Sequence, residues 1–233
     1  MILSTYQPYF APFPGFFSKA ACSDTFVLMD SVQFPLGATW LTRNRFKNDQ
    51  GVLLLTIPVW KKGLGLQQIN HVRICYEKSW PEKYLAGLSA AYANAPFFKE
   101  HRRLLQEIFS NKYDRLIDLN LKIIRYLMDY LMIPAKLILL SELDIDAKEP
   151  GLTLEICKKL KASHFLAQKS AKKYLDKELF KRSGINLEYS NYRAPVYPQL
   201  WGPNILNLSV FDLIFNCGPR TREIITDLQT SPK

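Results

Sequence analysis

The chain has 233 residues, of which 48% are hydrophobic, and its formal net charge is +10. This composition excludes an intrinsically disordered chain and predicts a full buried core. The sequence has no long apolar run and no basic leader with a cleavage pattern, so we expect a cytoplasmic protein without a membrane span. The four cysteines and three histidines are scattered, which indicates neither a disulfide framework nor a metal site.

The surplus of positive charge suits several anionic partners. Nucleic acid, a nucleotide sugar or an acidic lipid surface would each be attracted to it. The lysines and arginines lie mostly on predicted helices and are not interleaved with stacking aromatic residues. Nucleic-acid binding therefore ranks last, behind an anionic small molecule.

The first thirty residues are typical of a ligand-binding α/β unit. We expect strands over residues 2–5 and 25–29, with a helix over residues 16–23 between them. Three prolines and a glycine shape the loop after the first strand, and these are Pro8, Pro12, Pro14 and Gly15. In an alternative interpretation, they shape only a surface loop.

The following stretch changes from strands to helices. Strands are expected over residues 52–59 and 72–76, separated by a turn at 61–65, and this pair suggests a β-hairpin. Residues 80–132 carry apolar side chains at helical spacing, with breaks near Pro96 and Asn111. They form a predicted helical insertion.

From residue 136 onward, short strands and helices alternate. Strands are expected over 137–140, 164–167 and 186–190, and helices over 153–161 and 171–182. Strands that alternate with helices pair in parallel, so we predict an α/β fold with a mainly parallel sheet flanked by helices. No repeat or flexible linker divides the chain, and residues 1–233 are expected to form one domain.

Polar side chains follow the predicted strand ends. They are Gln7, Tyr9, Asp30, Gln33, Ser141 and Glu142. The carboxyl ends of parallel strands lie at one edge of the sheet, where open α/β sheets bind ligands, so we expect these residues to line one crevice. Asp30 is the candidate catalytic base, with Gln7 beside it. Ordinary capping of a turn would explain Asp30 equally well.

A cationic segment follows the second predicted strand. It holds Trp40, Arg43, Asn44 and Arg45. Arginine binds phosphate and carboxylate well, because its planar guanidinium contacts two oxygens at once. In an extended segment, Arg43 and Arg45 would share one face and Asn44 would point the other way. A solvated edge strand would explain the same residues without a ligand.

The tail from residue 192 adds two polar candidates for substrate binding. Gln199 and Asp212 lie among aromatic and apolar residues. A buried carboxylate needs a partner, and Arg43 or Arg45 is the candidate partner of Asp212. The sequence has no Ser-His-Asp order, no Walker loop and no HExxH pattern, so it specifies no cofactor.

Several short motifs follow one another along the chain. They comprise Gln7, Pro8 and Tyr9 with Pro12 and Gly15, Asp30 to Phe34, Trp40 with Arg43 to Arg45, Tyr92 with Pro96 and Phe97, Ser141 to Leu143, Gln199 with Leu200, and Ser209 to Asn216. This set resembles the WbqC-like family of bacteria over nearly the whole chain. One residue departs from the family pattern, since Tyr6 stands where His is usual. A tyrosine, with a reference pKa of about 10, is a poor base near neutral pH.

The resemblance implies a place in surface-polysaccharide biosynthesis of the O-antigen type. We expect a transferase that moves a glycyl, aminoacyl or acyl group to an amino sugar on a nucleotide or lipid carrier. Gln7, Tyr9 and Asp30 would position the substrate, and Arg43 with Arg45 would neutralise its phosphate. Two alternatives remain, a non-catalytic protein that binds a phosphorylated or nucleotide ligand, and a nucleotidylyltransferase-like enzyme suggested by fold analogy.

Overall fold

A computed structural model describes residues 1–228, and its centre is a parallel sheet of five strands. In chain order these strands are β1 (Ile2–Tyr6), β2 (Thr25–Leu28), β5 (Lys136–Leu139), β6 (His164–Ala167) and β7 (Asn186–Tyr189). Their order across the sheet is β5-β2-β1-β6-β7, and every pairing is parallel. The predicted α/β fold with a parallel sheet is therefore confirmed.

The central strands β1 and β2 are largely buried because helices cover both faces of the sheet. In β2, Phe26 and Leu28 contribute to one hydrophobic core, while Val27, and Met29 directly after the strand, contribute to a second. This alternation places the two cores on opposite faces of the sheet. Strands buried on both faces lack polar alternation, which is why the sequence pattern identified them.

Eight helices pack around the sheet within the described residues. They are α1 (Pro14–Ala21), α2 (Trp80–Tyr92), α3 (Phe98–Ser110), α4 (Leu116–Tyr130), α5 (Leu152–Lys159), α6 (Lys177–Arg182), α7 (Val210–Cys217) and α8 (Arg220–Asp227). The larger core holds α1 to α4 with α7 and α8, and the smaller core holds α5 and α6. None of the helices in residues 1–228 combines the length and apolarity needed to cross a bilayer.

A β-hairpin lies outside the main sheet, but its strands differ from the predicted ones. It pairs β3 (Arg43–Asn48) with β4 (Gly51–Thr56) in antiparallel register. The expected partner at residues 72–76 contacts the chain after β4 through a single antiparallel bridge between Val59 and Ile74. The hairpin is thus confirmed, whereas the predicted pairing is wrong because the polar strand β3 takes the place of residues 72–76.

The helical segments follow the predicted pattern with two exceptions. Residues 80–130 form α2, α3 and α4, with the expected breaks beside Pro96 and Asn111. The helix expected over 171–182 is instead a 3-10 turn, Lys169–Lys173, followed by α6. Asp176 follows the turn and caps α6, since its carboxylate accepts hydrogen bonds from the backbone of Glu178 and Leu179. The second exception is α8, which the sequence did not predict.

The strand order creates a topological switch point beside β1. From β1 the chain builds β2 and β5 on one side of the sheet, and later β6 and β7 on the other. The loops after β1 and β6 therefore diverge, and they leave a crevice beyond the carboxyl ends of these two strands. Open α/β sheets bind ligands at this position.

Candidate functional site

A crevice of about 310 Å³ occupies the switch point. Tyr6 and Gln7 line it at the end of β1, and Ala167 and Gln168 line it at the end of β6. Further polar wall residues lie outside these two strand ends, and they are Tyr9, Lys19, Glu149, Thr153 and Tyr174. The crevice thus combines amide, hydroxyl, carboxylate and amine groups.

Lys19 is the most unusual side chain in this crevice. It lies on α1, which packs its aromatic residues against the sheet, and only 2% of Lys19 is exposed. Its Nζ donates a hydrogen bond of 3.0 Å to the Thr5 carbonyl oxygen and lies 5.2 Å from the centre of the Tyr6 ring. Burial lowers the pKa of Lys19 to about 7, since a low-dielectric environment disfavours the ammonium form. An amine of this kind can exchange a proton near neutral pH.

Sequence reasoning missed Lys19. The usable signal was its position in the apolar run Phe16, Phe17, Ser18, Lys19, Ala20, where a surface lysine would be out of place. Lysine is almost never fully buried without a partner. A lysine on an all-buried helix next to a predicted ligand loop is therefore a candidate site residue.

Tyr6, the residue in the usual His position, forms the base of the crevice. Its ring is packed by Tyr9 at 5.3 Å and by Phe16 at 4.9 Å between centroids. Burial raises the pKa of Tyr6 well above its ordinary value, with further increases from Tyr9 and Tyr192. Tyr6 therefore stays neutral, and its ring face provides a surface for the Lys19 amine.

Glu149 supplies a negative charge to the same crevice. Its carboxylate accepts a hydrogen bond from the Thr153 hydroxyl. Burial and then the charge of Glu149 raise the pKa of Tyr174, and the same two causes raise the pKa of Cys157 to about 12. The crevice therefore presents groups that can bind both an anion and a cation.

A larger groove of about 710 Å³ adjoins the crevice and shares Val32 and Glu149 with it. Gln33 and Ser141, two of the predicted site residues, line this groove. Glu142 lies beside it on the 3-10 turn after β5, where its carboxylate accepts a hydrogen bond from the Leu139 backbone.

Asp30 is buried behind the groove, with 1% of its surface exposed. Ser141 donates two hydrogen bonds to its carboxylate, from the backbone N at 3.0 Å and from Oγ at 2.6 Å. The Asp30 carbonyl accepts a further bond from the backbone of Asn70. Asp30 thus ties together the chain after β2, the turn after β5 and the segment around residue 70.

Three residues of the cationic segment, Trp40, Asn44 and Arg45, line a third cavity of about 300 Å³ together with Tyr6 and Tyr9. The guanidinium carbons of Arg43 and Arg45 lie 5.6 and 5.8 Å from the Trp40 ring centre. Arg45 also donates hydrogen bonds to the carbonyls of Leu206 and Asn207. The Nε groups of both arginines are buried without a hydrogen-bond partner within the described residues. We call Arg43 and Arg45 the cationic wall, because each carries an Nε donor that is not used.

Asn44 points away from the two arginines, as the alternation of an extended strand predicts. Its Nδ2 donates to the carbonyls of Phe10 and Ala11 at 3.0 and 2.7 Å. These bonds hold the proline-containing loop against β3. Asn44 is also one of the residues that line the third cavity. Its amide therefore holds the loop beside that cavity.

Asp212 and Gln199 lie in a separate buried network. The hydroxyls of Tyr92 and Tyr197 donate to the Asp212 carboxylate at 2.6 and 2.8 Å. The prediction that Arg43 or Arg45 pairs with Asp212 is therefore wrong, because the aromatic residues around α7 supply the donors. Gln199 accepts a hydrogen bond from Lys47 Nζ at 3.1 Å.

The predicted residues therefore divide among neighbouring sites. Gln7 and Tyr9 share the crevice, and Tyr9 also contacts the cavity of Trp40, Asn44 and Arg45. Gln33 and Ser141 share the adjoining groove. Among residues 1–228, no cluster of three or more His, Cys, Asp or Glu side chains could hold a metal ion.

Fold and site together define a class, an α/β protein with a ligand crevice at the switch point of a parallel sheet and a buried lysine in its wall. The chain belongs to the WbqC-like protein family, whose family model matches residues 7–224. It is similar to "Uncharacterized protein Rv1507c" of Mycobacterium tuberculosis (strain ATCC 25618 / H37Rv), with 28% identity over 216 residues, 91% of this chain and 92% of the relative. No solved structure matches the chain.

Proposed function

We propose that this protein is a cytoplasmic transferase of surface-polysaccharide biosynthesis, of the O-antigen type, which moves a glycyl, aminoacyl or acyl group to an amino sugar. Membership in the WbqC-like family supports the substrate class that the motifs imply. The observation that carries the proposal is the buried amine of Lys19 in the switch-point crevice. A group of this kind is what an acyl transfer to nitrogen requires.

The reaction forms an amide bond. The amine nitrogen of the sugar attacks the carbonyl carbon of an activated donor, and the bond from that carbon to the leaving group breaks with its electron pair going to the leaving group. The attacking nitrogen must also lose a proton, which a base within reach accepts. Lys19 is a suitable base because burial lowers its pKa to about 7 and keeps a large neutral fraction near neutral pH.

The neighbouring side chains would orient the reactants. The amides of Gln7 and Gln168 can donate to the acyl oxygen, where negative charge develops in the transition state. Glu149 can attract the ammonium form of the amino sugar before it loses its proton. In this proposal Asp30 positions Ser141 and the groove, since Ser141 engages both of its carboxylate oxygens.

The cationic wall would hold the carrier. Arg43 and Arg45 have unused Nε donors, and the cavity that Arg45 lines shares Tyr6 and Tyr9 with the crevice. A phosphate or diphosphate could therefore bind the arginines while the attached sugar reaches Lys19. An anionic nucleotide sugar fits this arrangement better than a neutral sugar.

The test combines ligand binding with turnover. Wild-type protein, Lys19→Met and the exposed-lysine control Lys83→Met are screened by thermal shift against nucleotide amino sugars, aminoacyl adenylate analogues and acyl thioesters. Pairs that bind are then assayed by mass spectrometry for acylated sugar. We expect Lys19→Met to bind but to turn over at least roughly 100-fold more slowly, the usual effect of removing a general base. Equal turnover by Lys19→Met would refute the assignment of the base.

A second candidate is a nucleotide-binding protein without turnover, or a nucleotidylyltransferase-like enzyme. The strand order, which is that of doubly wound dinucleotide-binding folds over five strands, favours it. A nucleotide that stabilises the wild type, with no acyl transfer to any sugar, would support this candidate. Release of pyrophosphate from a nucleoside triphosphate would then separate the enzyme from the binding protein.

A further inference from the structure

Two loops on one side of the molecule expose an unusual number of large apolar side chains. We define the leucine–lysine surface as Leu36, Trp60, Lys61, Lys62, Leu64 and Leu66. The exposed fractions of its four apolar residues are 73% for Leu36, 42% for Trp60, 51% for Leu64 and 67% for Leu66. Single exposed leucines are common in proteins, but a cluster of this kind marks an interaction surface.

Hydrogen bonds join the two loops into one surface. Lys61 Nζ donates to the carbonyls of Leu36 and Gly37 at 3.4 and 3.3 Å. Behind them, Gln33 and Gln68 form an antiparallel bridge, and the Phe34 backbone N donates to the Gln67 carbonyl at 2.8 Å. The exposed side chains therefore belong to a connected structure.

The loop around Leu64 makes a tight, exposed turn. Leu64 lies between Gly63 and Gly65, whose φ angles of +78° and +60° make the tight turns that L-residues rarely adopt. All six residues from 61 to 66 are exposed. Leucine and tryptophan side chains at the tips of loops can enter a soft, deformable medium without a complementary pocket.

Within the segment from residue 50 to residue 76 the charge has one sign, whereas the groove that Leu66 lines also holds Asp144, Asp146 and Glu149. The sequence from residue 50 to residue 76 contains Lys61, Lys62 and Arg73 but no Asp or Glu. Anionic lipid headgroups attract such basic residues, and tryptophan prefers the boundary between headgroups and acyl chains. The combination of apolar tips, a tryptophan and uncompensated lysines fits this boundary.

We propose that the leucine–lysine surface docks on a bilayer that contains anionic lipid. Leu36, Leu64 and Leu66 enter the headgroup region, and Lys61 and Lys62 contact the lipid phosphates. Leu66 also lines the groove beside the crevice, so docking brings that groove next to the bilayer. The inference rests on these loops alone and does not depend on the proposed transferase activity.

Flotation with lipid vesicles tests the proposal. One set of vesicles is phosphatidylcholine alone, and the other contains phosphatidylglycerol in addition. We expect the wild type to float with the anionic set and to dissociate as salt is raised. Lys62→Glu should weaken binding at least roughly fivefold, and the triple variant Leu36→Ser, Leu64→Ser, Leu66→Ser at least roughly tenfold. Quenching of tryptophan fluorescence by brominated lipid should disappear in Trp60→Phe.

Two control variants on α6, Leu179→Ser and Lys181→Glu, change an exposed leucine and an exposed lysine far from this surface in sequence. They should float like the wild type. The proposal is overturned if the wild type stays with neither set of vesicles at low salt, or if the triple variant floats as well as the controls. A dimer in solution that the triple variant loses, without vesicle binding, would assign the surface to self-association instead.

Discussion

Lys19 Nζ donates its hydrogen bond to the carbonyl oxygen of Thr5, at 3.0 Å, from a position that is almost completely buried. The carbonyl belongs to β1, the central strand of the sheet, so the amine is fixed at the base of the crevice. One carbonyl compensates an ammonium ion poorly, which is the physical reason that the neutral amine is favoured.

This relationship predicts a stability that rises with pH. The pKa of Lys19 is about 7 in the folded chain, against an ordinary value of 10.5 for a lysine that is not buried. Between these values the unfolded chain binds more protons, so the free energy of unfolding increases with pH, by at most about 1.4 kcal/mol per pH unit. Urea unfolding of wild type and Lys19→Met at several pH values isolates this contribution, because Met fills a similar volume without a charge.

At low pH we expect Lys19→Met to raise the free energy of unfolding, which is the opposite of the usual effect of a core substitution. Below the folded pKa of Lys19, the wild type buries a charged ammonium, whereas Lys19→Met does not. We expect Lys19→Met to be the more stable protein there, and to lose this advantage as the pH rises. A stability difference that does not change with pH would contradict the proposed burial of the charge.

A second prediction concerns the Tyr92 hydroxyl in the buried network. It donates to Asp212 at 2.6 Å and accepts from the Lys47 backbone at 2.9 Å. Tyr92→Phe removes the partner of Asp212 Oδ2 and of the Lys47 backbone N in the core, and we expect it to cost about 2–4 kcal/mol in unfolding free energy. Chemical denaturation measures the loss.

Tyr84→Phe is the matched control for this experiment. The Tyr84 hydroxyl also donates to a carbonyl and accepts from a backbone N, both of Thr56, but at an exposed position where water replaces it. Its loss should cost less than about 1 kcal/mol. Equal costs for the two substitutions would mean that burial does not strengthen the Tyr92 network.

A third prediction separates the roles of Asp30 and Lys19. Ser141→Ala removes the 2.6 Å bond to the Asp30 carboxylate and should destabilise the protein by about 1–2 kcal/mol. In the transferase assay, Ser141→Ala should change the apparent affinity for substrate more than the pH dependence of turnover. The reason is that Asp30 positions Ser141 and the groove and is not the base. A shift of the pH profile in Ser141→Ala, but not in the exposed control Ser170→Ala, would instead identify Asp30 as the base.

A fourth prediction tests the end of α7. Gly218 has a φ of +54°, and an added Cβ would lie 2.5 Å from the Phe97 ring. Gly218→Ala should therefore cost about 2–4 kcal/mol, from backbone strain together with steric overlap. Gly184, with a φ of +72° and no atom within 4 Å of an added Cβ, provides the control, and Gly184→Ala should cost only about 1 kcal/mol. Thermal unfolding of the two variants makes the comparison.

The sequence predicted the parallel sheet well because its central strands, β1 and β2, are largely buried. For β3 an edge strand was only an alternative interpretation, because Arg43, Asn44, Arg45 and Lys47 give a polar pattern typical of a loop. This strand forms because β4 pairs with it and because Trp40 covers its arginines, and both interactions depend on tertiary structure. Local propensity cannot reveal such a strand.

The candidate site was predictable only in part, for a similar reason. Gln7 and Tyr9 reach the crevice because they directly follow β1. The order of strands, however, puts β5 beside β2, so Ser141 bonds to Asp30 and lines the neighbouring groove. Lys19 becomes a site residue through burial by its surroundings, which its apolar neighbours in the sequence suggest but do not specify.

The central position of β1 has a consequence for the chain as it is synthesised. Residues at the start of β1 and β6 meet across about 160 positions, as the hydrogen bond from the Met1 amine to Ser163 illustrates with a separation of 162. At ordinary translation rates, β6 emerges from the ribosome roughly 8–30 s after β1. During this interval the β6 side of β1 is an open, apolar strand edge, the kind of surface that chaperones protect.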